Sequence, residues 1–204
     1  MADPIKWLLG GENENLGSCD IYVGTHLGFN ALDYSTLPPD IIPIQKTGEL
    51  TFTQPVTWLD VINQQEGVDP SERLQTGFRQ SIAGTLNTLP MRLAEIIFPN
   101  MVVVRDSTGE AGEVSFAPRV GLRQNSKAKF ITIVGYDDDG EPAWDNPFQI
   151  LHVPKAVFMA GDGTSLFSAG ALRTLDVTID FRLSDLRNSL GQRIYSVLDA
   201  NLIS

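Results

Sequence analysis

Residues Leu172 to Gln192 read LRTLDVTIDFRLSDLRNSLGQ, and the first half of this stretch alternates strictly between apolar and polar residues. One set of alternate positions is apolar, namely Leu175, Val177, Ile179, Phe181 and Leu183. The other set is polar, namely Thr174, Asp176, Thr178, Asp180 and Arg182. A two-residue period indicates a half-buried β-strand. The stretch therefore predicts a long strand with an apolar face and a charged face, the charged one carrying Asp176, Asp180 and Arg182.

Other segments of the chain also have the pattern of β-strands, and turns separate them. Cys19 to Val23 and Leu50 to Val56 alternate in the same way, and Pro55 marks the end of a strand at a sheet edge or bulge. The chain has 18 Gly and 12 Pro, which favours many turns and few long helices. We therefore expect a mainly β fold, a β-sandwich or barrel with long loops and one packed helix at about residues 89–98.

The helix is predicted from TLPMRLAEIIFPN, Thr88 to Asn100, where the period changes. Thr88 can cap the helix, Pro90 suits its first turn, and Pro99 stops it. The predicted apolar stripe consists of Met91, Ala94, Ile97 and Phe98. We expect this stripe to pack on the sheet.

Residues 60–77 have no clean period, and we predict that they form a long loop with a helical turn near Pro70 to Leu74. Loops longer than about 12–15 residues are often functional. The segment is the best loop candidate for a partner contact, through Asp60, Gln64, Gln65, Glu66, Asp69, Glu72 and Arg73.

The charge of the chain is unevenly distributed. The net charge is −10, and residues 1–70 carry ten acidic side chains against two basic ones, Lys6 and Lys46. Such a chain is not built to grip phosphates, which requires clustered Lys and Arg. The basic run Arg119, Arg123, Lys127 and Lys129 is either a solvated turn or a docking site for the acidic surface of residues 1–70 in a neighbouring copy.

Residue types that can act in catalysis or bind metals are present, but not at the spacings that such sites require. Cys19, His26 and His152 each stand apart from other metal-ligating or nucleophilic residues, and we expect structural roles for them. DDDGEPAW, from Asp137 to Trp144, lacks calcium-loop spacing, and GDGTSLFSAG, from Gly161 to Gly170, lacks a phosphate-loop ending. We therefore predict that the protein is not an enzyme and binds no metal or cofactor.

The cellular context is also constrained. A single cysteine excludes an intrachain disulfide. The apolar run at the N-terminus is too short for a signal peptide, and no stretch approaches the ~20 apolar residues of a membrane span. We expect a soluble protein made inside the cell, with no membrane contact.

The order of strand pairs, the helix after SIAGTLNT, and the closing HVPKAVFMAGDGTSLFSAGALRTLDVTIDFRLSDL resemble the major tail tube proteins of long-tailed bacteriophages. The likeness covers roughly residues 45–190. It rests on a Pro-Lys-Ala strand, a small polar turn and an alternating strand that ends in an acidic residue. It divides the chain into a turn-rich N-terminal segment, residues 1–44, that forms an arm or edge strands, and a tail-tube-like β-sandwich domain, residues 45–204.

The resemblance implies a virion structural protein that self-assembles into stacked hexameric rings, forming the tube through which the genome is delivered. Its implied partners are other copies of itself, the tape measure, the tail terminator and the baseplate or tip proteins. The segment 60–77 would then bridge subunits or rings, and Asp176, Asp180 and Arg182 would line the lumen or an interface. Genomic DNA would be a passing cargo that the anionic lumen repels. The implied location is the virion tail, after assembly in the host bacterial cytoplasm. The alternatives are a head decoration, tail-terminator or other minor virion protein, or a non-viral β-sandwich binding module.

Overall fold

The computed structural model describes residues 13–17, 19–30, 37–44, 50–62, 70–86, 90–98, 100–105, 107–108, 111–116, 127–137, 139–146, 149–160 and 175–198. In these residues the strands are β1 (Asn13–Gly17), β2 (Cys19–Val23), β3 (Ile42–Ile44), β4 (Leu50–Thr53), β5 (Val56–Ile62), β6 (Pro70–Phe78), β7 (Gln80–Leu86), β8 (Met101–Arg105), β9 (Ala111–Phe116), β10 (Lys129–Gly135), β11 (Ile150–Ala160) and β12 (Leu175–Phe181). The helix is α1 (Met91–Ile97). The prediction of a mainly β fold with one packed helix is confirmed.

Eight of the strands form one antiparallel sheet in the order β1-β4-β7-β12-β11-β10-β2-β3. The strand predicted from the opening stretch, β12, lies in the interior of this sheet between β7 and β11. Its apolar positions are buried and Asp176 is exposed, as the alternation predicts. Leu183 falls after the end of the strand and is half-buried.

The inner face of the sheet carries the main hydrophobic core. This cluster includes Ile21 and Val23 of β2, Ile82 and Leu86 of β7, Ile131 and Ile133 of β10, Val153 and Phe158 of β11, and Val177 and Ile179 of β12. Burial of each such side chain stabilises the fold by ~1.5–3 kcal/mol relative to exposure. The apolar positions of β2, β7, β10, β11 and β12 therefore fix which face of each of these strands points inward.

Helix α1 packs on this core with Leu93, Ala94 and Ile97. The backbone N–H groups of Leu93 and Ala94 donate to the Pro90 carbonyl at 2.9 and 3.0 Å, which starts the helix. The predicted stripe was wrong at Met91, which is 43% exposed. Leu93 takes the buried place because it lies four residues before Ile97, nearly one helical turn.

Three of the strands are buried on both faces. A second cluster of Tyr22, Phe29, Ile41, Val134 and Ile150, with Leu37 and Trp144 packed against it, covers the outer face of β2, β10 and β11. Phe29 meets both Tyr22 and Trp144, with ring centroids 5.5 and 5.9 Å apart. This second layer lies over one half of the eight-stranded sheet.

Strands from both sides of residue 44 share the sheet. The edge strands β1 and β3 come from the N-terminal segment that was predicted to form an arm or edge strands, whereas β2 lies inside the sheet between β10 and β3. Cys19, Ile21, Val23, Ile42 and Ile44 contribute to the main core. Residues 13–44 are thus part of the same packed unit as the later strands wherever they are described.

The strand β11 contains a proline although it lies in the sheet interior. The β10–β11 register shifts between Lys129 and Ile131, so that the partners change from Ala156 to Val153. Pro154 therefore sits in a bulge, where the missing N–H removes no ladder hydrogen bond. Alternation resumes beyond the bulge, and Ala156 and Phe158 again point into the core.

The prediction that residues 60–77 form a loop was wrong where the structure describes them. Strands β5 and β6 pair antiparallel as a long hairpin, and a second hairpin joins β8 and β9. Register shifts between Thr57 and Trp58 and between Val61 and Ile62 interrupt the two-residue period. The segment looked aperiodic because these irregularities change which alternate residues share a face.

Candidate functional site

The outer face of β4, β7 and β12 is polar and is the candidate functional surface. We call it the polar face, and it comprises Thr51 and Thr53 of β4, Ser81, Ala83 and Thr85 of β7, and Asp176, Thr178 and Asp180 of β12. The side chains on it are short. They range from half-buried to exposed, in contrast to the covered half of the sheet.

The register aligns these residues in rows across the strands. Thr178, Ala83 and Thr51 form one row, because Thr178 pairs with Ala83 and Ala83 with Thr51. Asp180, Ser81 and Thr53 form a second row, two residues along each strand. Strand alternation keeps both rows on one side of the sheet.

Two carboxylates provide the charge of the polar face. Asp176 accepts a hydrogen bond of 3.0 Å from the Thr85 hydroxyl. Asp180 pairs with Arg182, with Oδ2 and Nη2 2.9 Å apart. Both partners of this ion pair are partly exposed, so it stabilises the fold by no more than about 1 kcal/mol. Asp176 forms no ion pair among the described residues. Arg79, two residues before Ser81, is exposed and lines a cavity with Asp180 and Arg182, so cationic groups border the Asp180 end of the face.

The structure brings the predicted charged residues Asp176, Asp180 and Arg182 together on one side of the sheet. Four other residues of this face, Thr51, Thr53, Ser81 and Thr85, were not predicted to belong to it. Their own strands alternate as well, but alternation within one strand does not identify the neighbouring strand. Only the pairing of β4 with β7 and of β7 with β12 assembles the surface.

The residues predicted for a subunit contact lie partly on the β5–β6 hairpin. Asp60 stands opposite Arg73, and Val61 stands opposite Glu72. Gln64, Gln65, Glu66 and Asp69 lie outside the described residues. The described positions are thus on strands rather than in an irregular loop.

The predicted basic run is described at two of its four positions. Lys129 is exposed at the start of β10, opposite Ala156 of β11. Lys127 is half-buried just before that strand. Arg119 and Arg123 lie outside the described residues. The two lysines lie at the N-terminal end of β10, whereas the acidic turn with Asp137, Asp139 and Glu141 follows its C-terminal end.

Hydrogen bonds from backbone N–H groups to the Asp137 carboxylate stabilise the acidic turn. The Asp137 Oδ1 atom accepts hydrogen bonds from the backbone N–H groups of Asp139 and Glu141, at 3.1 and 2.9 Å. Gly140 has φ of 80°, the left-handed conformation that glycine adopts without strain. The prediction of a structural turn is confirmed for these residues.

A buried polar row crosses the opposite half of the sheet. Tyr22, Thr132 and His152 are direct cross-strand neighbours on β2, β10 and β11. Thr132 Oγ1 lies 3.1 Å from His152 Nδ1 and 2.9 Å from Thr25 Oγ1. His152 is therefore a hydrogen-bonded interior residue, as predicted from its apolar surroundings in the sequence.

Cys19 and His26, the other residues considered for catalysis or metal binding, lie outside this buried polar row. Cys19 is buried in the main core, in agreement with its predicted role as a small hydrophobe. His26 is exposed and its ring meets the edge of Phe29. Within the described residues, no three His, Cys, Asp or Glu side chains come together as a metal site.

An open cavity of about 320 Å³ lies between α1 and β11. It is lined by Ile96, Ile97, Phe98, Lys127, Val157, Phe158, Met159 and Ala160. Phe98 extends this apolar region, because its ring meets Phe116 of β9 edge-on with centroids 6.3 Å apart.

No helix in the described part of the chain has the length and apolar character needed to cross a membrane. Comparison of the sequence with protein-family models and with curated proteins finds no match.

Proposed function

We propose that this chain is the subunit of a bacteriophage tail tube, a virion structural protein that assembles into stacked hexameric rings and forms the conduit for genome delivery. The observation that carries the proposal is the polar face of β4, β7 and β12. In the proposed tube this face lines the lumen, and the protein has no catalytic role, cofactor or metal.

The chemistry of the polar face suits a passage for DNA. DNA binding requires cations that neutralise phosphates. Of the two arginines beside this face in the described part of the chain, Arg79 and Arg182, the second is paired with Asp180. Asp176 has no ion-pair partner among the described residues, and its exposed carboxylate would repeat with every subunit of the tube. A repeated ring of carboxylates repels phosphates over about one Debye length, ~8 Å at physiological salt.

The size of the side chains on the polar face supports the same role. Thr, Ser and Ala project only a short distance from the sheet, and hydroxyl groups keep a layer of water at the wall. An antiparallel sheet commonly packs one face on a core and leaves the other in solvent. The eight-stranded sheet does this on its β4, β7 and β12 half.

The hairpins provide a reason for self-assembly. A two-stranded hairpin alone is marginally stable in water, yet β5–β6 and β8–β9 each form a separate two-stranded sheet. Val104, Val114 and Phe116 on the second hairpin are 52%, 42% and 61% exposed. Val114 and Phe116 alternate on one face of β9, whereas Val104 lies on the other face opposite Glu113. Exposed apolar residues that share a face, such as Val114 and Phe116, mark protein interaction sites. Copies of the same chain, and the other tail proteins at the tube ends, are the proposed partners, and the proposed location is the virion tail.

Electron microscopy of the purified protein tests the proposal. We expect negatively stained samples to contain rings and hollow tubes, and sedimentation velocity to show large species whose size distribution depends on protein concentration. Single rings that never stack would indicate a tail-terminator role instead. A monomer at all salt concentrations would contradict self-assembly altogether.

A further inference from the structure

Three cationic residues lie next to each other at the end of β12, where the polar face stops. Phe181, the last residue of β12, pairs with the first residue of β7 on one side and with Ala156 of β11 on the other. One residue further along the same antiparallel register, Arg182 stands between Arg79 and Lys155. The Arg182 backbone N–H donates to the Lys155 carbonyl at 2.8 Å, and the two arginines line one cavity. We call Arg79, Arg182 and Lys155 the cationic row.

The positive charge of the cationic row is only partly balanced. Asp180 pairs with Arg182, whereas Arg79 and Lys155 form no ion pair among the described residues. Three cations therefore face one carboxylate. Like charges on directly opposite residues of neighbouring strands destabilise a sheet. A bound anion would offset this repulsion, so the row has the charge of an anion-binding site.

The guanidinium of Arg182 also has hydrogen-bond donors to spare. Its contact with Asp180 joins Nη2 to Oδ2 at 2.9 Å, and its Nε atom is buried without a partner among the described residues. A guanidinium carries five N–H donors, and a buried donor without an acceptor costs free energy. Asp180 therefore satisfies Arg182 incompletely, and a second acceptor is favoured.

An open cavity of about 230 Å³ gives a small ligand access to both arginines. Its other walls are held by hydrogen bonds of their own. The Tyr195 hydroxyl donates to the Phe78 carbonyl at 3.3 Å, and the Gln80 amide group is bonded to the side chains of Gln54 and Ser196. The site is thus formed before any ligand arrives, and its unused donors belong to the arginines.

We propose that the cationic row and its cavity bind a phosphate group, either inorganic phosphate or the terminal phosphate of a small ester. Such a group carries a charge of about −1.5 to −2 at pH 7, enough to neutralise the two cations that Asp180 leaves unbalanced. Its oxygens point in several directions and accept hydrogen bonds from guanidiniums on different strands. The inference goes beyond the proposed function and does not rest on it, because the site lies within one copy.

The surroundings of the row favour a small phosphate over the backbone of duplex DNA. Asp176 lies on the same face of β12 as Asp180, four residues or about 13 Å away along the strand. A duplex lying on the polar face would bring further phosphates towards the Asp176 carboxylate. Each backbone phosphate also carries a single charge, so it would neutralise the row less completely.

Titration of the full-length chain with inorganic phosphate, followed by phosphorus NMR at low ionic strength, tests the site. We expect Arg79→Gln to weaken phosphate binding by about 10-fold or more, because a charge-assisted hydrogen bond is lost. Arg79 is exposed, so the variant should keep its fold by circular dichroism. The matched control is Arg92→Gln, which makes the same charge change at an exposed position of α1 outside the cavity.

A substitution of opposite sign provides a second measurement. Asp180→Asn removes the carboxylate that competes for Arg182, so we expect this variant to bind phosphate more tightly than the wild type. Equal or weaker binding by the folded variant would overturn the site. A merely structural role of Asp180 predicts no gain.

The remaining outcomes are equally decisive. Equal losses in Arg79→Gln and Arg92→Gln would show an effect of overall charge and overturn the proposal, as would absence of binding at phosphate concentrations of tens of millimolar. Acetate that displaces phosphate at equal concentration would assign the row to carboxylates instead. Glycerol phosphate that binds as tightly as inorganic phosphate supports an ester as the ligand, and binding of inorganic phosphate alone supports the free ion. A duplex oligonucleotide without terminal phosphates that binds through Arg79 would overturn the preference for a small phosphate.

Discussion

Asp176 of β12 and Thr85 of β7 are direct cross-strand partners, and the Thr85 hydroxyl donates a hydrogen bond of 3.0 Å to the Asp176 carboxylate. A neutral donor stabilises the carboxylate without cancelling its charge. Asp180, one row further along β12, is instead paired with Arg182. The polar face therefore keeps a fixed negative charge at Asp176, and this charge is the feature that the proposed lumen uses.

Reversal of that charge should convert a repelling wall into a binding one. We expect tubes of Asp176→Lys to retain a fluorescent duplex DNA oligonucleotide at low salt and to release it as salt rises, with log affinity falling by about 0.9 per log unit of salt for each phosphate neutralised. Wild-type tubes should not retain it. Co-sedimentation of tubes with the oligonucleotide measures this difference.

The matched control is Asp139→Lys, which makes the same charge change at an exposed turn away from the polar face. If this variant retains DNA as well as Asp176→Lys does, overall charge explains the binding and the polar face has no special role.

The side chains on the core face of β12 should contribute more to stability than those on its polar face. Ile179 is fully buried, and Ile179→Ala is expected to lower the free energy of unfolding by about 2–5 kcal/mol through lost burial and a residual cavity. Its neighbour Thr178 lies on the polar face, so Thr178→Ala should change stability by about 0.5 kcal/mol or less. Urea unfolding followed by circular dichroism compares the two variants, and equal losses would contradict the assigned faces.

The sequence was sufficient to predict β12 and α1, because each carries its whole signal in a short, regular period. Asp176, Asp180 and Arg182 were therefore placed on one face correctly. The β5–β6 hairpin was missed because two register shifts hide its alternation. Sequence reading could not assemble the polar face from strands as far apart in the chain as β4 and β12, since strand order depends on tertiary pairing.

The buried polar row should depend on the hydroxyl of Thr132. Thr132→Val removes the group that lies between Thr25 Oγ1 and His152 Nδ1 while nearly keeping the side-chain shape. A buried polar atom that loses its partner costs about 1–3 kcal/mol, so we expect a loss of stability in that range. Thr178→Val, the same substitution on the polar face, should be nearly neutral. A similar denaturation midpoint for both variants would show that the row contributes nothing to stability.

A glycine after β2 should be intolerant of any side chain. Gly24 has φ of 90°, and a Cβ atom at this position would lie 3.0 Å from the Asp40 carbonyl oxygen. Gly28 has φ of 74°, but a Cβ there would meet no atom within 4 Å. Gly28→Ala should therefore lower the free energy of unfolding only by the conformational cost of the left-handed region, about 1–2 kcal/mol.

Gly24→Ala should lower the free energy of unfolding by this conformational cost and by an additional steric cost. The carbonyl of Asp40 belongs to the backbone and cannot move aside as a flexible side chain does. The backbone at Gly24 is also tied to the sheet, since its N–H donates to the Phe130 carbonyl at 2.8 Å. Thermal unfolding of the two variants isolates the steric part as the difference between them. If Gly24→Ala is no less stable than Gly28→Ala, the close approach of residue 40 to the end of β2 does not constrain the fold.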